Sequence, residues 1–378
     1  MSTRTGAASA DPARPGIAAR LRAPGILAVA LAAGVSLSAC AAPSAGPAGP
    51  TTAAATPTPS TEPVAETAPG SEPPVARYDL DCDGLVPATL VGDLFAAPVE
   101  PTDPLVTASS VGISLPRMTS IVAVGGLACE WSNGEPSNSQ YGTNPAHVGL
   151  LVTVVPPPAG GWSDTAVRFG MPAAGTDCGG QTCTATQPAS GAWVQVQATD
   201  GSGAPDPTTF GRVVDAAVAA VDAASPPEPP AATGSAIPDD CQDLVPDAVV
   251  ESAAGVAEVV ESSFAGGWSE WAEAKTIAGD LGCRWFRADA DEIVAGADWV
   301  RGGRWAYERI ADGGGLVPPG SEVDLGLVAP DVAVLRCDAA YGTCAVDVVV
   351  GADWVQVTAP DESVAVAVAT EVAGRLAT

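Results

Sequence analysis

Apolar positions in this chain follow two periods. Pro87 and Pro246 suit the first turn of a helix, where the missing N–H costs nothing, and Leu90, Val91, Leu94 and Phe95 follow Pro87 at helical spacing. Phe210, Val213, Val214, Ala217, Val218 and Val221 keep the 3–4 spacing over three turns and predict a long amphipathic helix. Between these segments the period drops to two. Short strands are expected around Cys129 and Cys283, and longer ones over 147–155 and 292–300. Trp193 to Ala198 alternates as a strand with one wet face would. Val364 to Val368 also alternates, but its place at the chain end matches the Phe210–Val221 helix. It is therefore read as a helix with Val364, Val368 and Val372 on one face.

One apolar segment has neither period. Ile26 to Leu37 is an unbroken, uncharged run of 12 small or apolar residues, preceded by four arginines and a single acid. As a helix it spans about 18 Å, short of the roughly 30 Å a membrane span needs. It reads as the hydrophobic region of a secretory signal. The run ends in Leu37-Ser38-Ala39-Cys40, which resembles the lipobox of bacterial lipoproteins. The resemblance implies cleavage after Ala39 by signal peptidase II and a lipid on the Cys40 thiol. A doubly acylated cysteine anchors a protein stably to the outer face of a bilayer.

The rest of the chain divides by composition. Residues 40–77 are rich in Pro, Thr and Ala and read as a disordered linker. A second Pro-rich linker, 225–237, separates two stretches, 78–224 and 238–378, that repeat one another. Cys82-Asp-Gly-Leu-Val-Pro87 matches Cys241-Gln-Asp-Leu-Val-Pro246; Cys129-Glu-Trp131 matches Cys283-Arg-Trp285. Thr182-Cys183 matches Thr343-Cys344, and Trp193-Val-Gln-Val196 matches Trp354-Val-Gln-Val357. The four prolines in 225–230 suggest that the two stretches are held apart. Each stretch carries four cysteines, which in an exported chain implies two disulfides and three possible pairings. The favoured set is Cys82–Cys129 with Cys178–Cys183, and Cys241–Cys283 with Cys337–Cys344. The expected fold class is α+β: two homologous disulfide-tied domains, each a largely antiparallel sheet packed with helices.

The lipobox, the Thr/Pro-rich spacer, the Cys before a Leu-Val-Pro helix and the later Cys-x-Trp strand together resemble actinobacterial lipoproteins of unknown function. The resemblance implies an extracytoplasmic, lipid-anchored protein and brings no activity with it. The expected partners are the membrane, through Cys40, and an envelope polymer or protein.

Charge and chemistry narrow the remaining choices. Acids outnumber bases 44 to 16, and removal of residues 1–39 leaves 43 against 12. Such a chain offers no basic face to nucleic acid and stands off anionic lipid. No cofactor or metal is expected, and the chain is read as a non-enzyme. Asp79, Asp81, Asp83 and Gly84 imitate the start of a calcium loop, but the twelfth position is Leu90, so an acidic helix entry is preferred. The sole histidine, His147, is read as a solvated or edge-strand residue. Trp268, Trp271, Trp299 and Trp305 could line a groove for a sugar or peptide, with packing under a long loop as the competing reading. The function expected is a binding or scaffolding module. A carboxylate-dependent glycan hydrolase and a carrier of an apolar ligand are the alternatives.

Overall fold

Short acidic caps start both halves of the fold. In the computed structural model, which describes residues 70–109, 117–137, 144–157, 162–168, 172–224, 235–263 and 269–377, Asp81 accepts the Gly84 N–H at 2.8 Å. That cap opens the one-turn helix α1 (Cys82–Leu85), and Pro87 opens α2 (Ala88–Leu94). There follow β1 (Glu100–Thr102), α3 (Pro104–Ser109), α4 (Arg117–Ala123), β2 (Leu127–Ser132) and β3 (Val148–Val155). Then come α5 (Trp162–Arg168), β4 (Gly175–Gly179), β5 (Thr182–Ala189) and β6 (Ala192–Asp200). The half closes with α6 (Pro207–Ala223), capped by Asp206 through the Thr209 N–H at 2.7 Å.

The second half begins the same way. Asp240 accepts the Asp243 N–H at 2.9 Å and caps α7 (Cys241–Leu244), and Pro246 opens α8 (Asp247–Ala254). Next are β7 (Val259–Ser263), α9 (Glu270–Ala278), β8 (Leu281–Arg287), β9 (Ile293–Val300) and α10 (Arg304–Asp312). The chain then forms β10 (Ser321–Glu322), β11 (Val332–Asp338), β12 (Thr343–Val350), β13 (Asp353–Ala359) and α11 (Glu362–Leu376).

Each half contributes one antiparallel sheet, as an α+β fold requires. The first has the order β1-β2-β3-β6-β5-β4. The second, read from its far edge, is β7-β8-β9-β13-β12-β11, with β10 added beside β11. The sheets therefore correspond strand for strand apart from β10. The stretch Arg117–Trp131 also aligns without a gap to Trp271–Trp285 when Cys129 is set on Cys283. Both helices in that stretch, α4 and α9, run out at a glycine with positive φ, Gly125 at +76° and Gly279 at +71°.

Four disulfides staple the halves internally. Cys82–Cys129 and Cys241–Cys283 fasten the first helix of each half to its Cys-x-Trp strand. Cys178–Cys183 and Cys337–Cys344 join directly opposed residues on the β4–β5 and β11–β12 hairpins. These are the pairs favoured from the spacing.

Three apolar cores hold the described residues together. One lies between the first sheet and α1, α2 and α6, around Phe210, Val213, Val194 and Val196. A second lies between the second sheet and α7, α8 and α11, around Trp285, Val355, Val368 and Val372. The third joins the halves: Leu105, Met118, Ile121, Val155 and Trp193 from the first pack with Trp271, Ala274, Trp305, Ile310 and Trp354 from the second. In this seam α4 packs on α9 and α3 on α10.

The seam overturns two expectations. The halves are not held apart by the Pro-rich linker; within the compact unit Val64–Thr378 they share a core. Nor is the outer face of β6 wet throughout, for only Gln195 and Gln197 on it are half-exposed. Val194 and Val196 point into the first core, while Trp193, on the other face, is buried in the seam. Arg77, the last residue of the expected linker, is buried, and its N–H donates to the Gly125 carbonyl at 2.8 Å. Among the described residues, no helix is long and apolar enough to cross a membrane.

Candidate functional site

The three described tryptophans singled out from the sequence, Trp271, Trp299 and Trp305, do not line an open groove. Trp271 on α9 and Trp305 on α10 are buried in the seam, and Trp299 on β9 is buried in the second core. Trp268 lies outside the described residues. A tryptophan has the size to wall a groove or to fill a core, and here the first half supplies the surface that covers two of the three. Leu37, Ser38, Ala39 and Cys40 also lie outside the described residues.

The other candidates resolve into structural roles. Asp81 spends its carboxylate on the α1 cap, and among the described residues no three His, Cys, Asp or Glu are grouped to hold a metal ion. His147 is not solvated: it is buried, and its Nδ1 donates to the Glu135 carbonyl at 2.7 Å. The ring thus closes the loop that precedes β3.

The seam carries buried charge as well as apolar bulk. Lys275 on α9 bonds Asp298 Oδ1 at 2.9 Å, and Arg284 on β8 bonds Asp298 Oδ2 at 2.8 Å. The Lys275 ammonium also lies 4.8 Å from the Trp271 ring centre. Asp280, beside them, accepts from Ser120 of the first half at 2.8 Å and from the Arg301 N–H at 3.0 Å. Burial pushes the Asp280 carboxyl up to about 6, against those two hydrogen bonds. Glu130 on β2 is likewise pushed up to about 6 by burial, while the Thr107 and Thr102 hydroxyls act to hold it down.

Asp347 on β12 is fully buried and satisfied on both oxygens. Arg336 holds Oδ2 at 2.8 Å, and Trp354 Nε1 and Gln356 Nε2 each donate to Oδ1 at 3.0 Å. Asp347 and Arg336 are thus paired, as buried charges must be.

Among the described residues, an open feature lies on the segment that joins α10 to β11. That segment, 313–331, has 19 residues; the matching link in the first half, 169–174, has six. The extra length builds β10 and the loop after it. Val323, Leu325 and Leu327 turn half-buried onto the second core, while Glu322 and Asp324 alternate outward. Asp324 caps its own turn through the Gly326 N–H at 3.0 Å. Asp331 closes the loop: its Oδ1 accepts from Arg304 on α10 and from the Gly351 N–H at 2.9 Å.

Between the loop and β11 lies a cleft of about 370 Å³ lined by Glu322, Val323, Asp324, Leu325, Leu327, Asp331, Val332 and Ala333. Five of its eight lining residues are aliphatic and the other three are carboxylates, and polar atoms make up more of its exposed lining than apolar ones. The arrangement suits a ligand with a cationic group and an aliphatic body. A second hollow, of about 320 Å³, lies beside the start of β7, but its Arg287 is already paired with Asp289 at 3.0 Å and Glu292 at 2.8 Å.

None of the cleft residues figured among the sequence candidates. The signal that could have found them is the unequal length of the two matching links, together with apolar–acidic alternation in the longer one. Comparison of the chain with protein-family models, with curated proteins and with solved structures finds no match.

Proposed function

We propose that this chain is a non-enzymatic, lipid-anchored binding protein of the cell envelope, made of a duplicated α+β module, in which the second module carries the binding cleft. Attachment through Cys40 rests on the Leu37-Ser38-Ala39-Cys40 motif and the apolar run before it. An oxidising location agrees with four disulfides. Duplication is supported by matching strand orders and by the gapless Arg117–Trp131 and Trp271–Trp285 alignment.

The observation that carries the binding reading is the cleft beside β11: aliphatic surface and carboxylates on a loop that the first half lacks. Loops added to a rigid sheet are where binding specificity resides. Its occupant is an amine or guanidine with an aliphatic portion, free or at the end of an envelope component.

Calorimetric titration of the mature chain with alkylamines and with short Lys- or Arg-containing peptides tests this. Binding should weaken about tenfold, roughly 1.4 kcal/mol, in the Glu322→Gln, Asp324→Asn double variant, and should weaken with salt. Equal binding by wild type and variant, or none by either, overturns the cleft assignment. Mass spectrometry of the mature amino terminus tests the anchor separately; an unacylated Cys40 overturns it.

Glu322, Asp324 and Asp331 share one cleft, which favours the hydrolase as the second reading. A glycosidase needs one carboxyl shielded from water to serve as its acid, whereas Glu322 and Asp324 are exposed and Asp331 is committed to Arg304. Glycan cleavage by the wild type that is lost in Glu322→Gln would replace the binding reading.

A further inference from the structure

Lys275 is the only lysine in 378 residues, and every other basic side chain besides His147 is an arginine. It is not on the surface, where lysine ordinarily serves solubility. It is 2% exposed, on the seam helix α9, with its Nζ 2.9 Å from Asp298 Oδ1 on β9. An arginine would satisfy a structural ion pair, and usually better, because its planar fork holds a carboxylate at two points. What lysine offers that arginine lacks is an amine that can act as a nucleophile.

We propose that Lys275 and Asp298 are the site of an autocatalytic intramolecular isopeptide bond that ties α9 to the second sheet. The amine is already in contact with one oxygen of the carboxyl group it would attack, one covalent bond from the carbon it would join. Contact of this kind replaces a bimolecular encounter. Arg284 Nη2, 2.8 Å from Asp298 Oδ2, is placed to hold the negative charge that develops on that oxygen as the tetrahedral carbon forms. Asp280 is the proton carrier. Its backbone N–H donates to the Lys275 carbonyl at 3.0 Å, which ties the two residues together, and its carboxyl is held in place by Ser120 and the Arg301 N–H.

The step balances without a co-reactant. The Nζ–Cγ bond forms, the Cγ–Oδ1 bond breaks, and the two protons shed by the ammonium leave with that oxygen as water. An ammonium and a carboxylate become one neutral amide, so two buried charges are removed from a site where burial penalises them. Arg284 keeps the Cys283 carbonyl at 2.7 Å and gains the amide oxygen in place of the carboxylate. The bond would staple α9, a seam helix that no disulfide reaches, closing a loop with a sequence separation of 23 residues.

The sole lysine makes the test direct. The purified oxidised chain is reduced, denatured and treated with an endopeptidase that cuts after unmodified lysine, and its intact mass is measured alongside. The expected result is a chain lighter by one water that stays uncut at Lys275. Lys275→Arg and Asp298→Ala should both restore the full mass, the second also restoring the cut, and Asp280→Asn should slow the mass loss after refolding. A natively oxidised wild type of full mass that is cut completely overturns the proposal. So does a chain that has lost water yet is still cut, which would mark a succinimide at Asp298.

Discussion

Ser120 and Asp280 are 160 residues apart in the chain, and the serine hydroxyl donates to the aspartate carboxylate at 2.8 Å. The bond crosses the seam between the halves. It joins α4 to the second residue beyond α9, the helix that aligns with α4. A buried carboxylate that bridges two halves makes their union sensitive to protons.

The sign follows from the direction of the shift. Asp280 is raised from 3.8 to about 6 and Glu130 from 4.5 to about 6, so the folded chain binds these protons more tightly than the unfolded chain. Stability should therefore rise as pH falls from 7 through 6 and toward 4, and be lost in the reverse direction. The shifts correspond to about 3 kcal/mol for Asp280 and about 2 kcal/mol for Glu130. Urea unfolding at pH 7.5 and pH 5 checks this, and Asp280→Asn should flatten the difference by roughly half. A chain more stable at pH 7.5 than at pH 5 would contradict it.

The four disulfides should contribute unequally. Cys82–Cys129 and Cys241–Cys283 span 47 and 42 residues, while the hairpin bonds span five and seven. On chain entropy the long loops are worth about 4 kcal/mol each and the short ones about 2. Paired Cys→Ser replacement at 241 and 283 should therefore lower the urea midpoint about twice as far as replacement at 178 and 183.

Asp347→Ala should be among the most damaging single changes. It strands the buried Arg336 guanidinium and removes the acceptor for Trp354 and Gln356, a loss of about 3–5 kcal/mol. Arg212→Ala breaks an ion pair with Asp93 in which both side chains are more than half exposed, and should change stability by less than about 0.5 kcal/mol. Denaturant unfolding of the two variants separates the cases.

Trp305→Ala tests the burial of the seam tryptophans. Removal of this side chain from the third core should cost about 3–5 kcal/mol and leave binding of cationic ligands to the cleft unchanged. A stable variant with impaired binding would restore the groove reading.

Much of the local structure could be read from the residues, because its causes are local. Asp81 and Asp240, each one residue before a cysteine, announce a cap, and the prolines five residues after those cysteines announce a helix start. Opposed cysteines around a tight turn announce the two hairpin disulfides. What stayed illegible depends on partners far along the chain. Nothing near Trp193 says that its face of β6 will be covered by the other half, and nothing near Trp271 or Trp305 separates a groove wall from a core. The cleft is a similar case. The alternation of Val323, Leu325 and Leu327 with acids is visible in the sequence, but the hollow exists because Asp331 is fastened to Arg304, 27 residues earlier.

The shared third core also changes what a single backbone cut can do. Proteolysis within 225–234 severs the peptide connection yet leaves Trp193, Trp271, Trp305 and Trp354 interlocked. The nicked species would migrate as one particle under native conditions and as two fragments only after unfolding. Whatever retains the amino-terminal portion at a surface would thus retain the carboxy-terminal portion with it.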